Sequence, residues 1–214
     1  FGLFNKEKYN FSTPALSREL HVLLKKHSEN PDPYQEVKKC SNDLILKMYD
    51  QLKQIVSGSD DQFNTALRLA IAGNIIDYAI FDHFDLQGTI DKVLHSDFAI
   101  DYSGELRNAI SKAKMVLYLG DNNGEIVFDK LFIETLKHPN LRYAVRGAPV
   151  INDVTLDDAV YVGMDQVAGV IENGYDAPST LPEHCSTGFN ELFNEADVII
   201  SKGQGNLEGL IETQ

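Results

Sequence analysis

Apolar residues in the first half of the chain recur every three or four positions, whereas in the second half they gather into short runs. Thr13-Pro14 reads as an N-cap followed by proline at the first helical position, opening an amphipathic stretch to about His27. Asp32-Pro33 repeats that signal, and Tyr34, Val37, Cys40, Leu44, Met48, Leu52 and Val56 continue at helical spacing until Gly58. A third helix, capped by Asp60 or Asp61, carries Phe63, Ala66, Leu67, Ala70, Ile71 and Ile75 on its apolar side. Shorter helices are expected near 86–95 and 103–113.

The pattern changes at Lys114. Met115–Leu119 is a short apolar run rich in strand formers and bounded by Gly120, and Leu141–Val145, Val167–Ile171 and Val198–Ile200 resemble it. Helical stretches at about 125–137, 153–161 and 187–195 lie between them. Strands alternating with helices imply parallel βαβ units with right-handed crossovers. The expected fold is α/β: a Rossmann-like, mostly parallel sheet with helices on both faces, preceded by an all-helical part. The boundary falls near residue 112, giving a helical part over 1–112 and an α/β part over 113–214, joined in one compact unit. The segment from Asn173 to Ser186, with Gly174, Pro178 and Pro182, is long for a connection and reads either as a lid or as a plain surface excursion.

Three polar segments directly follow predicted strands: Gly120–Glu125, Arg146–Asp153 and Ser201–Asn206. In a parallel sheet all three emerge at the carboxyl edge, where open α/β sheets bind ligands. Asp121, Asn122 and Asp153 offer only oxygen donors, which suit a hard or borderline divalent cation. Lys202 and Arg146 supply positive charge for a phosphate, and the helix beginning near Gly124 adds its N-terminal dipole. Taken singly, Asp121–Gly124 reads as a turn, Asn152-Asp153 as a helix cap and Lys202 as a surface lysine; the convergence carries the reading. Asn74 and Asp77 share one face of the third helix, either as packing hydrogen bonds or as a second wall of the site.

Composition narrows the chemistry. Nineteen Lys and Arg against thirty-two Asp and Glu leave a formal charge of −13, which disfavours nucleic acid and anionic membranes as partners. A small phosphorylated ligand requires local positive charge, which a metal and one or two cationic side chains supply. Cys40 and Cys185 form neither a disulfide framework nor a zinc motif, and His184-Cys185 lacks the third residue of a thiol mechanism. The six histidines show no ligand spacing. No apolar run approaches the roughly 20 residues of a membrane span and the N-terminus does not resemble a signal peptide, so the cytoplasm is the expected compartment. The chain opens at Phe1 rather than Met, as a piece of a longer protein would.

Five segments in order, Asp32-Pro33-Tyr34 with Lys38, Gly73–Asp77, Gly120–Glu125, Arg146–Asp153 and Ser201–Asn206, resemble the damage-control phosphatase family, formerly domain of unknown function 89. The resemblance spans about residues 12–210. It implies a helical part over a Rossmann-like part and metal-dependent hydrolysis of phosphate monoesters of small metabolites, either sugar phosphates or damaged cofactor intermediates. The family's metal ligands fall on Asp121, Asn122 and Asp153, and its phosphate-contacting lysine on Lys202. The implied cofactor is a divalent cation: Mg, Mn, Co or Ni. Arg146, Asn206, Glu125, Asn74 and Asp77 are the further candidates for orienting substrate or water. Asp121 as a covalent nucleophile is the weaker route, since a residue holding a metal is less free to attack. Two departures stand out: many relatives begin with a Cys-x-x-Cys segment, absent here, and their sheet continues beyond the Lys-Gly loop. The rival readings are a non-catalytic nucleotide or sugar-phosphate binding module and a carboxyl methyltransferase, for which Gly120–Gly124 is a poor donor loop.

Overall fold

A computed structural model describes residues 13–76 and 86–211. Six helices come first: α1 (Thr13–Ser28), α2 (Gln35–Leu46), α3 (Tyr49–Ser57), α4 (Gln62–Ile76), α5 (Leu86–His95) and α6 (Ser103–Lys112). Four strands and four helices then alternate: β1 (Val116–Leu119), α7 (Glu125–Leu136), β2 (Leu141–Val145), α8 (Leu156–Tyr161), β3 (Gly169–Glu172), α9 (Thr187–Glu195), β4 (Val198–Ser201) and α10 (Gly203–Ile211). All pairings are parallel and the order is β3-β2-β1-β4. Successive strands thus step outward from β1 on one side, and β4 returns to its other side. The order reverses between β1 and β4, which puts a crevice at their carboxyl ends.

Alternation along the strands fixes the two faces of the sheet. Val116, Tyr118, Tyr143 and Val145 join one core with Leu52, Leu69, Phe128 and Phe132, drawn from α3, α4 and α7. Leu117, Leu119 and Ala144 point the other way, onto Phe189 of α9 with Phe193 and Leu210 beside it. The helical first half and the sheet therefore share one core.

Three elements differ from the sequence expectation, each for a physical reason. The run from 34 to 57 is two helices, because apolar residues spaced strictly by four drift about 40° per step around a helix of 3.6 residues per turn. Over the four steps from Cys40 to Val56 a straight helix would carry that stripe to its far side. A turn at Lys47 and Met48 resets it, with Met48 N–H donating to Ile45 O at 2.9 Å. Cys40 is exposed as a result, and the inner face of α2 carries Lys38, Ser41, Asn42 and Ile45. α8 starts at Leu156 rather than 153, since the Asp158 carboxylate accepts from the Thr155 N–H (2.9 Å) and hydroxyl (2.7 Å). Residues 203–211 are helical, so Gly203–Asn206 of the polar segment expected after the last strand form the first turn of α10. Gly205 and Gly209 lie one turn apart, and a Cβ on either would collide with the Pro178–Thr180 segment. That segment accordingly packs inward: Asn173, Ala177, Ser179, Thr180 and Leu181 are buried, and the long connection is a wedge under α10 rather than a lid. Among the described residues no helix is long and apolar enough to cross a membrane.

Candidate functional site

The carboxyl edge gathers the chain's buried charge. The β1 strand hands directly into Gly120-Asp121, while Lys202 N–H donates to Leu119 O (3.1 Å), so the first residues beyond β1 and β4 lie side by side. Gly203, at φ 77°, turns the backbone into α10 against the Asp121 carboxylate, where a Cβ would collide with it. Asn122 and Asp153 pair through an isolated antiparallel bridge, and Val154 N–H donates to Asp121 O at 2.9 Å. The segments carrying Asp121, Asn122 and Asp153 are thereby tied to each other by main chain.

Arg146 lies between the two carboxylates and is only 2% exposed. Its Nε donates to Asp153 Oδ2 at 2.6 Å, its Nη1 to Asn206 Oδ1 at 2.9 Å and Thr180 Oγ1 at 3.2 Å, and its Nη2 lies 3.5 Å from Asp121 Oδ1. The last is a charge contact without hydrogen-bond geometry. Asn206, fully buried, accepts from Arg146 and from Thr180 Oγ1 while its Nδ2 donates to Gly120 O (3.1 Å) and Lys202 O (2.7 Å). These four bonds use both amide hydrogens and both lone pairs of Oδ1, so Asn206 braces the site.

Lys202 is equally engaged. Its Nζ donates to Asp129 Oδ1 at 2.7 Å and Ala70 O at 2.8 Å and forms an ion pair with Glu125 Oε1 at 2.5 Å. Burial alone would lower its pKa, but Asp129 and Glu125 more than offset that and raise it, so the side chain stays charged. Asp129 was not legible as a site residue; it lies one turn beyond Glu125 on the buried side of α7, among Ile126, Val127 and Phe128. It also accepts from Tyr118 (2.6 Å) and Tyr143 (3.1 Å), whose hydroxyls burial keeps protonated. The i, i+4 spacing of two acids on a buried helix was the available signal.

Burial, reinforced by Asp153 and Glu125, raises the pKa of Asp121 well above the usual carboxylate range, against the pull of Arg146 and Lys202. In formal charge, four carboxylates (Asp121, Asp153, Glu125, Asp129) face two cations here. The excess of two negative charges matches a divalent cation, and the donor set is oxygen only: two carboxylates with the Asn122 amide. Among the described residues no three His, Cys, Asp or Glu side chains form a ready cage, so a cation would draw on that amide. The residues present fit a hard cation.

The helical part closes the site from above. On α2, Asn42 Nδ2 donates to Asn123 Oδ1 (2.7 Å), and the Asn42 Oδ1 accepts from Gly124 N–H (2.6 Å). On α1, Lys25 Nζ donates to Pro149 O (3.0 Å), the His21 Nε2 accepts from Ile151 N–H (3.2 Å), and Arg18 pairs with Asp176. On α4, Gly73 packs against Glu125, but Asn74 is exposed, and Asp77 lies outside the described residues. The cover over this edge comes from α1, α2 and the Ala70 carbonyl rather than from Asn74. Cys185 takes no part: burial pushes its thiol up to about 11, so it stays protonated at neutral pH. A hollow of about 600 Å³ lined by Asp61, Phe63, Arg107 and Lys137 lies at the opposite edge, where α6 and α7 end.

The comparisons follow the same outline. A family model described as the damage-control phosphatase ARMT1-like domain matches residues 4–214. An uncharacterized protein of Methanocaldococcus jannaschii is 36% identical over 201 residues, covering 90% of this chain and 66% of the relative. A damage-control phosphatase of Pyrococcus horikoshii is 36% identical over 215 residues, covering 98% of this chain and 74% of the relative. A crystal structure of a DUF89 family protein from Pyrococcus horikoshii superposes with a TM-score of 0.80 at 34% identity, over 92% of this chain and 70% of that one. This chain spans about two thirds to three quarters of the length of these proteins.

Proposed function

Since the chain belongs to the damage-control phosphatase ARMT1-like family, we propose that it hydrolyses phosphate monoesters of small metabolites with the help of a divalent cation held by Asp121, Asn122 and Asp153. The observation that carries this reading is the buried charge excess at the switch point between β1 and β4, four carboxylates against two cations. A bound cation supplies Lewis acidity toward a phosphate oxygen and a water made acidic enough to attack. The protein's own part is positioning and field. Arg146 holds Asp153 in place and offsets its charge, and Asn206 holds Arg146. Lys202, anchored by Asp129 and the Ala70 carbonyl, keeps a fixed positive charge beside Glu125, where it stabilises negative charge developing on a transferring phosphoryl group. No step needs a covalent nucleophile; water attacks and the alcohol leaves.

The test is phosphate release from a panel of phosphorylated metabolites after chelation, with Mg, Mn, Co or Ni added back. Release should vanish in chelator and return with metal, and Lys202→Ala should lower kcat/KM by about 10²-fold or more. Full turnover in chelator refutes the cation, whereas ligand binding without release under every metal marks a binding module instead.

A further inference from the structure

Lys38 carries a charge that no substrate can touch. It is 1% exposed, and its Nζ lies 2.7 Å from Asp32 Oδ2 and 2.9 Å from Asp158 Oδ2. A buried lysine between two carboxylates is seldom a better packing solution than an apolar residue of the same size, because each charge loses its hydration. What it holds is therefore informative. The same Asp158 oxygen accepts from the Thr155 N–H and hydroxyl and lies 3.4 Å from Asn123 Nδ2. That Asn123 amide also donates to Asn152 O (3.0 Å) and Asp153 O (3.2 Å). One turn beyond Lys38 on α2, Asn42 grips Asn123 and the Gly124 N–H. The bonds of Thr155, Asn123 and Asn42 each end on a proposed cation ligand or on a residue within two positions of one, and Lys38 joins them through the shared Asp158 oxygen.

We infer that Lys38, together with Asn42, is a positioning residue for the cation site, pinning the loop after β1 to the loop after β2 so that Asp121 and Asn122 stay in register with Asp153. The inference rests on the proposed reading of those three as cation ligands. Helix α2 thereby acts on the site without touching substrate. Ser41, between the two pins, completes the fit: the Gly124 backbone comes so near that a Cβ there would lie 3.1 Å from the Ser41 Cβ.

The experiment is titration of the intact chain with Mn²⁺ alone, by calorimetry, alongside its urea unfolding midpoint. Wild type should bind. Lys38→Met should weaken Mn²⁺ affinity about 10- to 100-fold, the usual scale for losing a partner that orients a ligand. Lys39→Met, at the exposed neighbouring lysine, should leave it unchanged. Asn42→Ala removes the second pin, the one on Asn123 and Gly124, without stranding a charge, and carries the same expectation should Lys38→Met not fold. A merely structural Lys38 would lower the unfolding midpoint and leave the Mn²⁺ affinity of folded variants at the wild-type value; that result overturns the inference while leaving the cation reading intact. Wild type that binds no Mn²⁺ defeats the cation reading itself, and this inference with it.

Discussion

Arg146 divides one guanidinium among Asp153, Asn206, Thr180 and Asp121 while nearly all of it is out of water. The sequence suggested a side chain reaching over the edge toward a phosphate; the structure shows it underneath, holding the acids that face the site. Removing it leaves buried carboxylates without their cation, a change that typically costs about 3–5 kcal/mol. Arg146→Ala should therefore lower the unfolding free energy by about 3 kcal/mol in urea denaturation, and a stability loss under about 1 kcal/mol would contradict the bracing role. Asp153→Ala strands Arg146 in the same way, so this residue is not a ligand that can be deleted at no cost to the fold. Asp121→Asn keeps the volume and leaves Arg146 its stronger partner, and should be the milder change for stability.

At the scale of elements, α1 reaches the site through its His21 and Lys25. Burial, helped by Lys25, lowers the His21 pKa below its ordinary 6.5, against the opposing pull of Asp32 and Asp176. A depressed folded value favours the neutral ring, which accepts the Ile151 N–H; its contribution is whole above pH 6.5 and is lost as pH falls through the lower folded value. Melting temperature should thus drop on acidification below pH 6.5 more steeply in wild type than in His21→Gln, and equal slopes for the two would remove His21 from the pH response. How far the elements were readable follows from their surroundings. β1 stood out because a strand buried on both faces of a parallel sheet reads as an unbroken apolar run, and the less completely buried β2, β3 and β4 because they are short runs rich in Val, Ile and Tyr. α10 was hidden by glycines, chosen for close packing on Pro178 and Ser179 but resembling a loop. Asn42 was hidden for the opposite reason, since a polar residue turned inward imitates a solvated face and only its partner 82 positions away reveals it; Lys38 was marked by the family resemblance, but its partner 120 positions away was not. That Asp121, Asn122 and Asp153 come together was readable because the parallel topology alone brings post-strand loops to one edge; the place of Asp129 was not, since it lies within a helix.

For the whole molecule, the formal charge of −13 acts on any anionic substrate before it arrives. The cations nearest the chemistry, Arg146 and Lys202, are already paired with carboxylates and project little attraction outward. Salt screens the general repulsion within about 10 Å at 0.1 M. kcat/KM for a phosphate monoester should accordingly rise, by about 2- to 5-fold between roughly 10 and 150 mM salt, with kcat nearly constant. A fall over that range would mean a positively charged entrance that outweighs the global field.

The bonds that assemble the site also join distant parts of the chain: Lys202 to Ala70 across 132 positions, Lys38 to Asp158 across 120, and Gly124 to Asn42 across 82. Closing such separations is slow compared with winding a helix, because chain entropy is lost before the contact gives anything back. Helices α1 to α4 can form early, yet the edge that carries Asp121 is complete only after β4 and α10 dock. A chain halted before Lys202 would hold most of its helices, yet the edge that carries Asp121 would lack both Lys202 and the Asn206 amide that brace it.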